Sequence, residues 1–573
     1  MSATDLPSAE GHAIGCGTQS APAKPRSTRG KWRALVLLAV HAAIAARVAH
    51  WLSAGRTVTP LEPSEAAVAL ASKVVDAGIL FFALTILSTL ILGRFFCGWA
   101  CHLVALQDGA AWLLGKLGVR PRLVRSRILA FVPFVGVALM FGWPFVARAL
   151  VGESGGEWRM ELTTDDFWGR FPGPVIAVLT FLTCGFAAVW LLGAKGFCTY
   201  ACPYGAVYGI ADRFARGRVR VDPDACESCG HCTAVCTSNV AVHREVALYQ
   251  QVVDPGCMKC LDCVSACPKD ALRFGFGSLP PKQPVGGGAK PRRVYDFSVG
   301  EEWVLGGVFV LAFVSWFRSH SLVPLLLALT LAVFVALFAV LLGRLIRSSD
   351  LRFQRVTLKR EGQLTPRGAL AGLACLALLG LTGHSGVVQA NEIQATLALS
   401  RAVEASGGER TEALESARSA LESVATLGLV RRKGLSNQLG QVLAELGDDE
   451  AALAQLEAAI AESPDAIAPR RKRAEVLERA ERWPELATAL LDLVEREPLT
   501  SARAYALASS GVIQRIASDA PDSDDFRLLA IHLQLSLGDL ETARTNLEAA
   551  ADRNPFDPRV ERLWERYDEF SDG

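Results

Sequence analysis

Cys226-Glu-Ser-Cys-Gly-His-Cys-Thr-Ala-Val-Cys236 and Cys257-Met-Lys-Cys-Leu-Asp-Cys-Val-Ser-Ala-Cys-Pro268 have one form, Cys-x2-Cys-x2-Cys-x3-Cys, written twice. Their eight thiols, Cys226, Cys229, Cys232, Cys236, Cys257, Cys260, Cys263 and Cys267, are more than half of the fifteen cysteines in 573 residues. Fifteen are too dilute for a disulfide scaffold, and their clustering indicates metal in a reducing compartment. Structural zinc uses four ligands in two pairs. Two interleaved runs of four instead suit two [4Fe–4S] clusters: three thiolates on a tight loop reach one cubane, and the fourth, on the helix that follows, points toward its neighbour. Only the second run ends in the usual proline, Pro268; the first has Thr237.

Outward from these runs the chain is apolar, with 51% hydrophobic residues and a mean hydropathy of +0.28. Of the segments Trp32 to Leu52, Val74 to Gly93, Ile128 to Ala147, Pro174 to Gly193, Trp303 to Phe317, Leu322 to Gly343 and Ala369 to Ala390, most approach the roughly 20 residues that cross a bilayer as a helix, and the fifth is short. Basic stretches orient them. Arg94 to Arg127 has six bases against one acid and Arg344 to Arg367 seven against two, whereas Arg148 to Gly173 has three against five. The first two are expected in the cytoplasm of a bacterial inner membrane, and with them the cysteine-rich segment. Residues 1–31 read as a disordered cytoplasmic tail; Cys16 there follows no apolar segment and reads as an ordinary thiol. The net charge of +1 argues against a nucleic-acid partner.

The pattern divides as 32–194, a four-helix membrane region; 195–280, the cluster domain; 281–302, a linker; 303–343, a membrane hairpin; 344–368, a basic cytoplasmic loop; 369–390, a seventh helix or signal anchor; and 391–573, helical repeats. In the repeats, Leu439-Gly440, Gly447, Ala452, Leu456, Ala459 and Pro464 keep tetratricopeptide spacing, Pro498 follows Pro464 by 34 residues, and Gly538, Ala543, Leu547, Ala550 and Pro555 repeat the offsets. If the seventh segment crosses, these repeats are periplasmic. A generic helical bundle is the plainer alternative. The fold class expected is mainly α: a polytopic helical membrane bundle, an inserted small α+β two-cluster ferredoxin-like domain, and a C-terminal α-helical repeat domain.

A second signal is a Cys-x3-Cys that ends the second and fourth membrane segments, in GRFFCGWACHLVALQD and AKGFCTYACPYGAVYG. Cys97 and Cys101 stand 101 residues before Cys198 and Cys202. Spacing of i and i+4 on one helical turn would put each pair on one face. Three readings stay open on the residues alone: a third iron–sulfur centre or redox-active dithiols at the membrane surface, another thiophilic metal such as copper, and close-packing residues.

With FCGWAC, CTYACP and both cluster runs, Trp32 to Phe276 resembles the polyferredoxin membrane proteins, which include quinol-oxidising components of periplasmic nitrate reductase, electron donors of nitrous oxide reductase and a cytochrome oxidase accessory protein. The resemblance, with that to two-cluster bacterial ferredoxins, implies crossed ligation: Cys226, Cys229, Cys232 and Cys267 for one cluster, and Cys257, Cys260, Cys263 and Cys236 for the other. It also implies functional cysteines at Cys97, Cys101, Cys198 and Cys202. Where that family has Cys-Pro, this chain has Cys101-His102; His102 reads as an added ligand, a proton acceptor or a tolerated replacement. His41, Arg47 and His50 in the first segment could contact a quinone. Lys259, Asp262, Lys269 and Asp270 read as solvated charges beside the second run, and Cys184 and Cys375 as packing residues. The function expected is a membrane-bound relay of electrons between a quinol pool or cytoplasmic donor and a respiratory or periplasmic partner, a component of an oxidoreductase rather than an enzyme with a metabolite of its own. The repeats would hold a protein partner. The alternative is a maturation or regulatory factor that reduces a metal or disulfide during assembly of a respiratory enzyme.

Overall fold

A computed structural model describes residues 29–119, 121–151, 157–167, 173–238, 240–281, 283–285, 295–317, 323–354, 356–497, 511–519 and 523–571. Cys16 and nearly all of the expected tail, the glycines at 286–288 and Pro498 lie outside the described residues. The chain forms two compact units, the first reaching Gly386 and the second beginning at Val387.

In the first unit, helices Arg29–Ala54, Leu129–Val146, Pro174–Leu192, Val299–Trp316 and Leu325–Arg347 are long and apolar enough to cross a membrane, as is Pro366–Glu404, which begins there. Ala77–Leu92, at 16 residues, is shorter, about 24 Å at 1.5 Å per residue. Asp76 starts it by accepting a hydrogen bond from the Ile79 amide at 2.8 Å, which satisfies a donor that the helix leaves free. Leu325–Arg347 lies at the centre: it packs on Val299–Trp316, on residues 182–187 and on 132–137, and Ala328, Leu329, Ala332 and Val333 are fully enclosed.

The same sequence of elements occurs twice. Ala77–Leu92 and Pro174–Leu192 each run into a glycine with positive φ, Gly93 at 75° and Gly193 at 94°. A five-residue helix follows, Phe95–Trp99 or Gly196–Tyr200, then an extended cysteine, and then a longer helix, His102–Lys116 or Pro203–Arg213. Both glycines are forced. A β-carbon on Gly93 would stand 2.5 Å from the Lys259 side chain, and one on Gly193 2.8 Å from the backbone at Arg122 and Leu123.

The basic stretch 344–368 is not a plain loop. Leu351–Phe353, Val356–Arg360 and Gln363–Leu364 form a three-stranded antiparallel sheet, with Arg352 opposite Thr357 and Arg360 opposite Gln363. Two β-branched residues, Val356 and Thr357, carry the only local signal for it.

The second unit is helical. Gly407–Leu427, Leu435–Leu446, Asp449–Glu462, Ile467–Arg479 and Trp483–Arg496 each pack on the next, as do Asp524–Leu537, Leu540–Arg553 and Pro558–Ser571. Leu-Gly-Asp ends one helix and starts another at 446–448 and at 537–539: Gly447 (φ 84°) and Gly538 (φ 79°) take the left-handed cap and Asp448 and Asp539 cap the next helix. Ala452, Leu456, Ala543 and Leu547 are fully buried. Pro366–Glu404 is unbroken, so the helix itself runs on past Ala390.

His532 is buried in this unit, with Nδ1 accepting from Arg566 at 2.9 Å. Burial first, then Arg566 and Arg562, push its pKa down to about 4. A base with a depressed folded pKa stabilises the fold above its unfolded value near 6.5, and that stability is lost as the pH falls toward the folded value. Residues 524–571 are expected to lose about 2 kcal/mol between pH 7.5 and pH 5, read as faster hydrogen exchange, and His532→Gln should abolish the dependence.

Candidate redox site

The cluster domain closes where Gly217–Val221 pairs antiparallel with Leu272–Phe276, Val219 opposite Phe274. Val219, Val246, Val252 and Leu272 fill its small core. Each cysteine run begins with residues in the left-handed region at matching places: Ser228 (φ 54°) and Gly230 (77°) in the first, Lys259 (51°) and Leu261 (63°) in the second. Such turns direct successive backbone N–H groups inward, a concavity for anions that iron–sulfur sites use. One-turn helices His231–Ala234 and Asp262–Ser265 then carry the third cysteines, Cys232 and Cys263. The fourth, Cys236 and Cys267, stand two residues past the helix end rather than on the helix.

The runs cross. One cavity is lined by Cys226, Cys229 and Cys232 of the first run together with Cys267 of the second, beside His231 and His243. Cys236 is pushed up to about 12 by burial and then by Cys257, and Cys263 is raised by burial and then by Cys257, Cys260 and Cys236. Burial likewise lifts Cys232 to about 11 and raises Cys260. Thiols held this far above neutrality become ligands when iron takes the place of the proton. Open cradles with inward amides and crossed thiols fit two cubanes.

Cys97, Cys101, Cys198 and Cys202 come together in the bundle. Neither pair occupies one continuous helical turn: each short helix ends before the second cysteine, which is extended, Cys101 at ψ 121° and Cys202 at ψ 110°. Cys97, Cys198 and Cys202 belong to the main core, with Cys101 packed against it, because each short helix folds back into the bundle. Cys198, Cys101 and Cys97 all lie near Cys202. Gln107 Nε2 donates to Cys198 Sγ at 3.1 Å, and Arg94 Nη2 points at Cys97 Sγ from 4.0 Å. Tyr204 and Tyr208 stack edge-on against Phe82 beside them.

Two of the charges read as solvated are buried ion pairs. Lys259 is 1% exposed and donates to Asp212 at 2.8 Å; Asp212 also accepts from the Arg94 amide at 3.0 Å and lies 3.7 Å from Arg218. Asp262 accepts from Arg33 at 2.9 Å, and Arg33 reaches Asp108 at 2.7 Å. Asp108 also pairs with Lys195. Lys269 is exposed, beside Glu227. These partners come from distant elements, which no periodic signal links; Arg33, one of three bases that open an apolar helix, is the available hint. His41 Nδ1 meets the Leu37 carbonyl at 2.7 Å and neighbours His102, while His50 is exposed, so the two histidines do not share a site. Cys184 and Cys375 lie in apolar cores, Cys184 3.4 Å from Thr330.

A helical membrane bundle with iron–sulfur domains is the class this fold and site define. A 4Fe-4S binding domain matches residues 77–120, and 4Fe-4S dicluster domains match 195–240 and 218–268. The chain is similar to the ferredoxin-type protein NapH of Haemophilus influenzae, 28% identical over 34% of this chain and 66% of that one. It is also similar to the methylamine utilization ferredoxin-type protein MauN of Methylorubrum extorquens, 30% identical over 31% and 61%, and that of Methylobacillus flagellatus, 28% over 29% and 54%. The matched stretch spans only about half to two thirds of these relatives. No solved structure matches. The chain is thus a polytopic membrane protein with [4Fe–4S] clusters, a homologue of the ferredoxin-type polyferredoxin proteins.

Asp212→Asn leaves Lys259 and Arg218 buried without their counter-charge, at a cost of about 3–5 kcal/mol. The variant is expected to purify with substoichiometric iron and with faster hydrogen exchange over residues 255–263; native iron content would show that the pair does not hold the cluster loop.

Proposed function

We propose that this chain is a membrane-anchored electron relay, taking electrons from a quinol pool or a cytoplasmic donor and passing them to a redox partner protein. The observation that carries the reading is the enclosure of four cysteines inside the bundle directly against the cluster domain. Two [4Fe–4S] groups, held by Cys226, Cys229, Cys232 and Cys267 and by Cys257, Cys260, Cys263 and Cys236, supply one-electron redox chemistry; the protein supplies placement, burial and amide hydrogen bonds that set their potentials.

Of the readings of Cys97, Cys101, Cys198 and Cys202, a third iron–sulfur centre is favoured. The 4Fe-4S binding domain matched over 77–120 contains Cys97 and Cys101 as its sole cysteines, and thiols buried beside Arg94 have a cation to offset anionic charge. The basic flanks at 94–127 and 344–367 support a cytoplasmic cluster domain. The caps and buried small residues of the second unit support tetratricopeptide-like repeats that dock a partner, on the periplasmic side if Pro366–Glu404 crosses.

Anaerobically purified chain is expected to hold about twelve iron and twelve acid-labile sulfide, falling to about eight of each when Cys97, Cys101, Cys198 and Cys202 are all replaced by Ser. Eight in the native chain would reject the third centre.

A further inference from the structure

The duplicated turns differ at several positions, and one of these differences, Gly98 against Thr199, faces the cluster domain. Gly98 follows Cys97; 101 residues on, Thr199 follows Cys198. A β-carbon on Gly98 would stand 2.2 Å from the Met258 carbonyl oxygen and 3.5 Å from the Cys260 amide. Thr199 carries a full side chain, whose hydroxyl folds back onto the Lys195 carbonyl at 3.0 Å. Next to Gly98, the Trp99 indole N–H donates to the Lys259 carbonyl at 2.9 Å. Arg94 donates to the Pro255 carbonyl at 2.9 Å while pointing its other nitrogen at Cys97 Sγ. The Cys97-Gly98 peptide therefore lies against the loop that carries Cys257 and Cys260. The other cysteine set faces outward: Cys229 is exposed, as are Glu227 and Ser228 at the rim of its cavity, whereas Cys260 and Cys263 are buried.

We propose that the two cysteine sets have fixed places in one path. The set Cys257, Cys260, Cys263 and Cys236 is wired to the four-cysteine site through the Gly98 and Trp99 contacts, and the set Cys226, Cys229, Cys232 and Cys267 faces the soluble partner. The inference rests on the relay reading above and adds its order. Each transfer between the cysteine-held groups moves one electron, the donor side being oxidised and the acceptor side reduced, with no bond made or broken; a quinol donor gives two electrons in succession and releases its two hydroxyl protons to water. Electron tunnelling falls off exponentially with separation, so a contact this close decides which set receives first. Glycine at 98 is then a requirement of the junction: any side chain would lift the Met258 loop from the Cys97 turn.

The full chain in lipid nanodiscs, reduced anaerobically with menadiol and freeze-quenched for electron paramagnetic resonance, tests the order. Gly98→Val is expected to slow the appearance of reduced signal by about tenfold or more, and Trp99→Phe, which keeps the packing and deletes the hydrogen bond, to slow it in the same direction. Reduction by dithionite from water and the iron content should stay native in Trp99→Phe, so a folding defect in Gly98→Val does not decide the outcome. Native rates of menadiol reduction in both Gly98→Val and Trp99→Phe would overturn the order. A native chain that menadiol cannot reduce at all would instead overturn the relay, and the order with it.

Discussion

Asp212 is the point on which the two halves of the site turn. Its carboxylate is wholly buried, accepting from the Arg94 amide at the membrane turn and from Lys259 in the cluster loop. A carboxylate shut away from water is costly unless paired and hydrogen-bonded, and here the pairing partners come from two different elements. Neither the Gly93 turn nor the 257–263 loop can move without exposing an uncompensated charge. Arg33 and Asp108 repeat the arrangement nearby, tying Asp262, at the start of the helix that holds Cys263, to the bundle. Buried ion pairs add little net stability compared with apolar packing, but they tolerate few alternative geometries. Registration between cysteine sites is what such pairs can enforce.

The duplication gives these pairs something to register. Two helix-glycine-helix turns fold back into the bundle, each delivering a buried thiol followed by an extended one. A dry core is a poor place for thiolates, which is why a cation, Arg94, and a side-chain amide donor, Gln107, reach the sulfurs there. The two copies are not equivalent: Arg94 and Lys195 open them, and Lys195 pairs with Asp108 while also standing near Cys198.

Much of this was legible in the residues, and what was not has a physical reason. Period and length announced the apolar helices, and thiol spacing announced the cluster runs, because both are local patterns. The form of the runs suggests the crossing of Cys236 and Cys267, and Cys267 lines one cavity with Cys226, Cys229 and Cys232, the placement that crossing would need. The Cys-x3-Cys pairs misled by their spacing: i and i+4 suggests one helical turn, but Cys101 and Cys202 are extended, so each helix breaks between its two cysteines. Lys259 and Asp262 misled by their chemistry, since charges next to a loop are usually solvated; partners 47 and 229 residues away along the chain bury them. The short sheet at 351–364 was missed because its strands are of two to five residues, too brief for alternation to show.

The same contrast explains why a glycine carries information that a cysteine motif does not. A thiol announces its chemistry wherever it lies, and its neighbours can be guessed from spacing. Gly98 is silent in one sequence: it could be a turn, a cap or an accident of composition. Its meaning is a distance, 2.2 Å from a virtual β-carbon to the Met258 carbonyl, and distances across a fold belong to the packing of the whole bundle. Where two redox-active segments must touch, the absence of a side chain is the functional feature, and the duplicated turn that bears Thr199 shows what the same backbone does when no such contact is required.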